Sequence, residues 1–297
     1  MAKEKYVRVK AKDKMSRKAR AWLLISRIFV YAILIFLTIL CLFSFYMLII
    51  NSTRTHFENQ AGFTMIPKKA FLDNFINAWT DASIDIPRGM LNSFIIAACN
   101  AILTTYFSAL TAYGIHCYEF RLKKAAFTFI MAVMMIPSQV SAVGFVAIIN
   151  KLGLTNNYIP LIAPAIASPV VFFYMKQYME STLSIELVEA ARVDGSSEFL
   201  TFNRIVMPIM MPAVSVQMIF SFVGSWNNFF IPAMVIDKPE LRTVPIMIAN
   251  LRGADYSKQD MGKVYMFILL AILPVIVVYL ALSKLIIRGV TEGSVKG

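Results

Sequence analysis

Charged positions fall in clusters along this chain and leave six apolar stretches between them. Ile28–Thr53, Gly89–Ile115, Ala125–Asn150, Leu152–Met175, Ile205–Ile236 and Val264–Ser283 contain no Asp, Glu, Lys, Arg or His. Each is about 20 residues or longer, enough to cross a hydrocarbon core of roughly 30 Å at about 1.5 Å per residue. Lipid offers backbone groups no hydrogen-bond partners, so each stretch is predicted to be a helix with its bonds satisfied internally. The pattern predicts an all-α integral membrane fold with six transmembrane helices. In Leu152–Met175, Gly153, Pro160, Pro164 and Pro169 should bend or delay the helix.

Composition agrees with the pattern. The 297 residues would allow one or two domains by length alone, but 58% are hydrophobic, only 15% are charged and mean hydropathy is +0.66. A soluble domain of this size needs roughly a quarter of its residues charged.

The basic residues set a direction. With the N-terminus inside, segments 1–21, 116–124, 176–204 and 284–297 hold eighteen Lys or Arg, and 54–88, 151 and 237–263 hold ten. The positive-inside rule places both termini in the cytoplasm. The domains predicted are a basic tail (1–21), a first span (22–53), an extracytoplasmic segment (54–88), a core of five spans (89–288) and a short tail (289–297). The nine basic residues of 1–21 are read as an anchor on anionic membrane lipid in preference to a nucleic-acid arm. The first span reads as a retained signal anchor, since its apolar run exceeds a typical signal core and no small-residue cleavage site follows.

The bare spans exclude several functions. A carrier driven by a proton or sodium gradient usually keeps an ionisable group at membrane depth, and a voltage sensor needs arginines there. His56 and His116 fall on opposite sides of the membrane, and Cys41, Cys99 and Cys117 show no paired spacing. The cysteines read as packing residues. No catalytic or metal site is predicted, and no GxxxxGK[ST] run offers a nucleotide site.

One stretch breaks the apolar pattern. Between the fourth and fifth spans, residues 184–208 read SIELVEAARVDGSSEFLTFNRIVMP. Ser184 is a plausible N-cap for a helix over Ile185 to about Val193, with Glu186 in its first turn. Ile185, Val188 and Arg192 fall near one another at helical spacing, while Glu189 and Ala190 begin another stripe. Asp194–Gly195 stops the helix, because glycine tolerates the left-handed conformation, and Ser196 or Ser197 starts the next. Alanines beside a carboxylate suit a helix seated closely in another protein's groove. The alternative is an amphipathic helix lying on lipid, for which Trp, Phe and Lys would be expected.

The arrangement Glu189, Ala190, Ala191, Gly195, Ile205 and Pro208 resembles the EAA motif of ABC-transporter importer permeases, with Met207 where that family usually has Leu. "RGVTEGSVKG" (288–297), "SWNNFFIPAMV" (225–235) and "FLDNFINAW" (71–79) resemble stretches of the maltose-type carbohydrate permeases, and six spans suits the smaller permease of the pair. The resemblance implies that Glu189, Ala190, Ala191, Asp194 and Gly195 dock on an ATPase subunit. It also implies a second homologous permease, two copies of a cytoplasmic ATPase that uses ATP and Mg, and an extracytoplasmic sugar-binding protein. The chain itself would bind no cofactor and no nucleic acid, and would sit in a bacterial or archaeal plasma membrane.

Sugar sites pair hydroxyls with amides and stack rings on aromatics. Within the spans Asn92, Asn100, Ser138, Gln139, Asn227, Asn228 and Trp226 are candidates. Gln217, Ser221 and Ser225 share a helix face at i, i+4, i+8. The alternative is that these groups bond between helices. Residues 237–263 read either as a loop touching the binding protein or as an ordinary loop, and 54–88 as a second docking surface. A permease for a non-sugar solute and a membrane scaffold that recruits a soluble partner remain the competing functions, with a gradient-driven carrier third.

Overall fold

The structure, a computed structural model, describes residues 17–253 and 259–294. Regular structure among them is helical. In chain order the helices are α1 (Arg17–Ser52), α2 (His56–Gln60), α3 (Phe71–Trp79), α4 (Ile86–Cys117), α5 (Lys123–Met134) and α6 (Ser138–Lys151). There follow α7 (Ile159–Ile162), a 3₁₀ turn (Ala163–Ile166), α8 (Pro169–Thr182), α9 (Ile185–Val193) and α10 (Glu198–Thr201). A π-helical turn (Phe202–Val206) leads into α11 (Met207–Trp226), α12 (Phe230–Val235), a 3₁₀ turn (Pro239–Leu241), α13 (Val244–Gly253) and α14 (Met261–Ser294). Residues 1–16 of the basic tail, 254–258 between α13 and α14 and 295–297 at the C-terminus lie outside the described residues.

Five helical runs among the described residues are long and apolar enough to span a membrane, and the pair α5–α6 makes a sixth only if counted as one broken span. That pair corrects the straight helix predicted over Ala125–Asn150. It bends by 98° at Pro137, whose ring removes a donor and pushes Ile136 out of the helical region. Leu152–Met175 is delayed by its prolines as predicted: short turns occupy 159–166, and the long helix starts at Pro169. The stretch predicted as one span over Ile205–Ile236 ends at Trp226, and α12 is a separate short helix. At the C-terminus α14 continues to Ser294, past the boundary predicted at 288.

Helix α4 is the axis of the bundle, packing against α8 and α11, with α14 against α11. Its buried face carries Ala97, Ala101, Ala109 and Ala112, and small residues let neighbouring helix backbones approach closely. Two clusters fill the core. One gathers Tyr113, Met175, Met179, Val188, Phe202 and Val206 at one end of the bundle. The other gathers Ile86, Phe222, Trp226, Val244, Met247 and Phe267 at the opposite end. Helix α1 stands apart with most of its apolar side chains exposed and rests mainly on α14.

The connections sort to two ends of the bundle. At one end the Asn74 amide donates to the carbonyls of Ser52 and Arg54 at 2.8 Å each, and Lys263 pairs with Asp81. Met261 N–H reaches His56 there. At the other end His116 meets the Leu183 carbonyl at 3.3 Å, so the two histidines are separated. The segment 237–263 is more than a loop: α13 buries Val244, Ile246 and Met247 against the bundle.

Candidate functional site: an elbow and a polar cavity

The polar stretch 184–208 folds as a tight elbow. Ser184 takes the extended N-cap conformation before α9, although its hydroxyl bonds the Glu186 carboxylate and not a helix amide. At the far end Gly195 has φ +79°, which an L-residue reaches only at a steric cost. Gly195 N–H donates to the Arg192 carbonyl at 3.0 Å and Ser196 N–H to the Ala191 carbonyl at 2.9 Å. These two bonds make a Schellman ending. Ser197 then caps α10, its hydroxyl accepting from Leu200 N–H at 3.4 Å.

Val188 and Ala191 are buried against the chain's own core, while Glu189, Ala190, Asp194 and Gly195 are exposed. Four of the five predicted docking residues thus share the open surface, and Ala191 differs: it faces inward and seats the helix. Val193, 87% exposed, and Phe199 add apolar side chains to the open side.

A polar cluster ties the elbow to the bundle. Glu198 accepts from Arg192 Nε at 2.6 Å on one carboxylate oxygen and from the Tyr113 hydroxyl at 2.7 Å on the other. The Arg192 guanidinium stands 5.0 Å from the centre of the Tyr118 ring, a cation–π distance. Hydrogen bonding to Glu198 raises the Arg192 pKa further above its ordinary value. Sequence reasoning placed Arg192 on a helix but missed this cluster, because Tyr113 of α4 and Tyr118 just past its end lie 74 to 85 residues earlier in the chain and meet Arg192 and Glu198 only through folding. Pro208 explains the π turn: it has no N–H for the Arg204 carbonyl, and its ring crowds that oxygen, so the helix widens there.

A second feature lies between α4, α6, the 159–169 turns, α11 and α12. It is a cavity of about 620 Å³ whose polar lining is Asn100, Thr104, Ser141, Ser168, Ser221, Ser225 and Asn228. No charged side chain lines it. Ser221 and Ser225 face it as the stripe predicts. Gln217, one turn earlier in α11, is buried and outside the lining.

Other predicted cavity residues have different roles. Trp226 is buried, stacks on Phe222 with centroids 5.8 Å apart and donates to the Ala271 carbonyl at 3.2 Å, so it is packed into the core. Its remaining edge and Asn227 border a separate cavity of about 460 Å³ beside α13 and α14. Asn92 holds the carbonyls of Glu240 and Arg242 at 3.0 Å each. The side chain of Ser138 lies outside the described residues. Asn156, which sequence reasoning passed over, adopts φ +54° and accepts from the amides of Asp237 and Lys238.

Residues 101–292 match the family described as Binding-protein-dependent transport system inner membrane component. The chain is 33% identical over 267 residues to the arabinooligosaccharides transport system permease protein AraQ of Bacillus subtilis, covering 88% of this chain and 92% of that one. It is 30% identical over 266 residues to the trehalose/maltose transport system permease protein MalG of Thermococcus litoralis, covering 89% and 94%. Its fold is similar to a chain in the crystal structure of a bacterial ABC transporter involved in the import of the acidic polysaccharide alginate. The TM-score is 0.77, with 18% identity and coverage of 91% and 98%.

Proposed function

The chain belongs to the family of binding-protein-dependent transport system inner membrane components, and on that premise we propose that it is the permease subunit of an ATP-driven carbohydrate importer. It is a multi-pass membrane protein and a permease, not an enzyme. The solute class we propose is an oligosaccharide, handed over by an extracytoplasmic binding protein. Relatives that carry arabinooligosaccharides and trehalose or maltose in their names support that class, as does a cavity whose mainly apolar wall is studded with uncharged hydroxyls and amides. Such groups both donate and accept, matching a neutral polyol.

The observation that carries the proposal is the elbow. Glu189, Ala190, Asp194 and Gly195 stand open on a short helix whose inner face is anchored to the bundle. In our reading this surface docks on a cytoplasmic ATPase, with two ATPase copies serving this chain and a second, homologous permease. ATP and Mg act in those subunits. Both termini then face the cytoplasm. ATP-driven closure of the ATPases pulls on the elbow and shifts the permease between two arrangements. For that to drive transport, ATP must favour one arrangement through differential contacts.

The test is reconstitution of the importer in vesicles with its ATPase and binding protein. Glu189→Ala and Gly195→Val should lower oligosaccharide uptake about tenfold or more, the consequence of losing roughly 1.4 kcal/mol of coupling. ATPase activity should lose its stimulation by the loaded binding protein. Full stimulation and uptake in both variants would refute the docking role. Stimulation by a charged or non-sugar solute and not by neutral oligosaccharides would refute the solute class alone.

A further inference from the structure

Beside the elbow, where α4 ends and α5 begins, lies a cleft of about 410 Å³ lined by Glu119, Arg121, Lys123, Lys124 and Lys176 together with Ile115, Phe120 and Phe127. Two of its cations are already matched. Lys123 bonds Glu119 at 2.6 Å, and Lys176 pairs with Glu180 while standing 4.8 Å from the centre of the Phe127 ring. Arg121 and Lys124 have no ion-pair partner among the described residues. The cleft therefore holds two uncompensated positive charges.

Exposed hydrocarbon adjoins the cleft. Leu122, Phe129, Val133 and Met134 leave an exposed hydrocarbon surface along α5, and the cations gather at the end of that surface. A soluble anion would gain from the charges and nothing from the hydrocarbon. A molecule with an anionic head and acyl chains would gain from both. Basic pockets beside membrane helices suit such headgroups, and a guanidinium fits two phosphate oxygens at once.

We propose that this cleft binds the phosphodiester headgroup of an anionic glycerophospholipid, with Arg121 and Lys124 on the phosphate oxygens and an acyl chain along Leu122 and Phe129. The site depends neither on the transported solute nor on the ATPase-docking role of the elbow, so it stands or falls separately from both.

Photoactivatable phosphatidylglycerol incubated with the full chain in its purified complex, followed by peptide mapping, tests the site. Wild type should be labelled within 119–129, and excess unlabelled phosphatidylglycerol should compete where phosphatidylcholine does not. The double variant R121Q/K124Q should bind about thirtyfold more weakly, the effect expected of two juxtamembrane cations. The charge-keeping R121K/K124R should retain labelling, and both variants should unfold at the wild-type temperature, since both side chains are exposed. Equal labelling of wild type and R121Q/K124Q, or equal competition by phosphatidylcholine, would overturn the proposal. Displacement by inorganic phosphate alone would assign the cleft to a free anion and overturn the lipid.

Discussion

Glu198 has two carboxylate oxygens and each is spoken for: one by Arg192 of α9, the other by Tyr113 of α4. A single side chain thereby joins both arms of the elbow to a membrane helix. Removing the Tyr113 hydroxyl leaves Glu198 with its arginine, so Tyr113→Phe should cost about 1 kcal/mol of stability. That is below the roughly 1.5–3 kcal/mol of a hydrogen bond to a charged group, because the carboxylate is 44% exposed and water can replace the phenol. Glu198→Gln should cost no less, and the double variant should fall short of the sum, the mark of a direct interaction. Thermal unfolding of the four proteins in detergent checks this; full additivity would mean that the contact carries nothing. The sequence could not have revealed the cluster. Helical spacing places Arg192 on α9, but only packing brings Tyr113 beneath it.

Among elements, local punctuation was readable and tertiary placement was not. Gly195 marked the end of α9 and the pair Ser196–Ser197 the start of α10, since backbone requirements at helix ends are local. Pro137, by contrast, sits in an uncharged stretch that composition alone reads as one span, and its position divides α5 from α6. The opposite end of the bundle shows a tertiary link of the same kind. Asp81, after α3, accepts from Ser83 N–H at 2.8 Å, from the Ser83 hydroxyl and from Lys263 at the start of α14. Burial would raise its pKa, but hydrogen bonds from Lys263 and Ser83 outweigh that and lower it from 3.8 to about 2. A depressed carboxyl stabilises the fold while ionised, so its contribution is present above about pH 4 and is lost as pH falls toward 2. The unfolding temperature of wild type should drop across that window more steeply than that of Asp81→Asn, which lacks the ionised link at every pH. Parallel curves would show that Asp81 holds nothing in place.

At the scale of the whole molecule, the arrangement puts an open cavity of mixed polar and apolar lining on one flank of α11 and the elbow at that helix's base. Period-3.6 reasoning found Ser221 and Ser225 because a single helix face is a local property, but not Ser141 and Ser168, which reach the cavity from other elements. It misplaced Trp226 and Asn92 because a side chain's partner, not its chemistry, decides whether it binds solute or carbonyl. Gly224 separates these two roles experimentally. It lines the cavity, and a Cβ built on it would meet no atom within 4 Å. Gly224→Ala should therefore fold without strain and gain roughly 0.5–1 kcal/mol from lost glycine entropy in a helix. Gly224→Leu should fold as well but extend into the space the solute needs. Uptake should fall strongly in the leucine variant and little in the alanine variant, with both at least as heat-stable as wild type. A leucine at 224 that leaves uptake unchanged would place the solute path elsewhere, and the smaller cavity beside Asn227, α13 and α14 would be the next surface to fill.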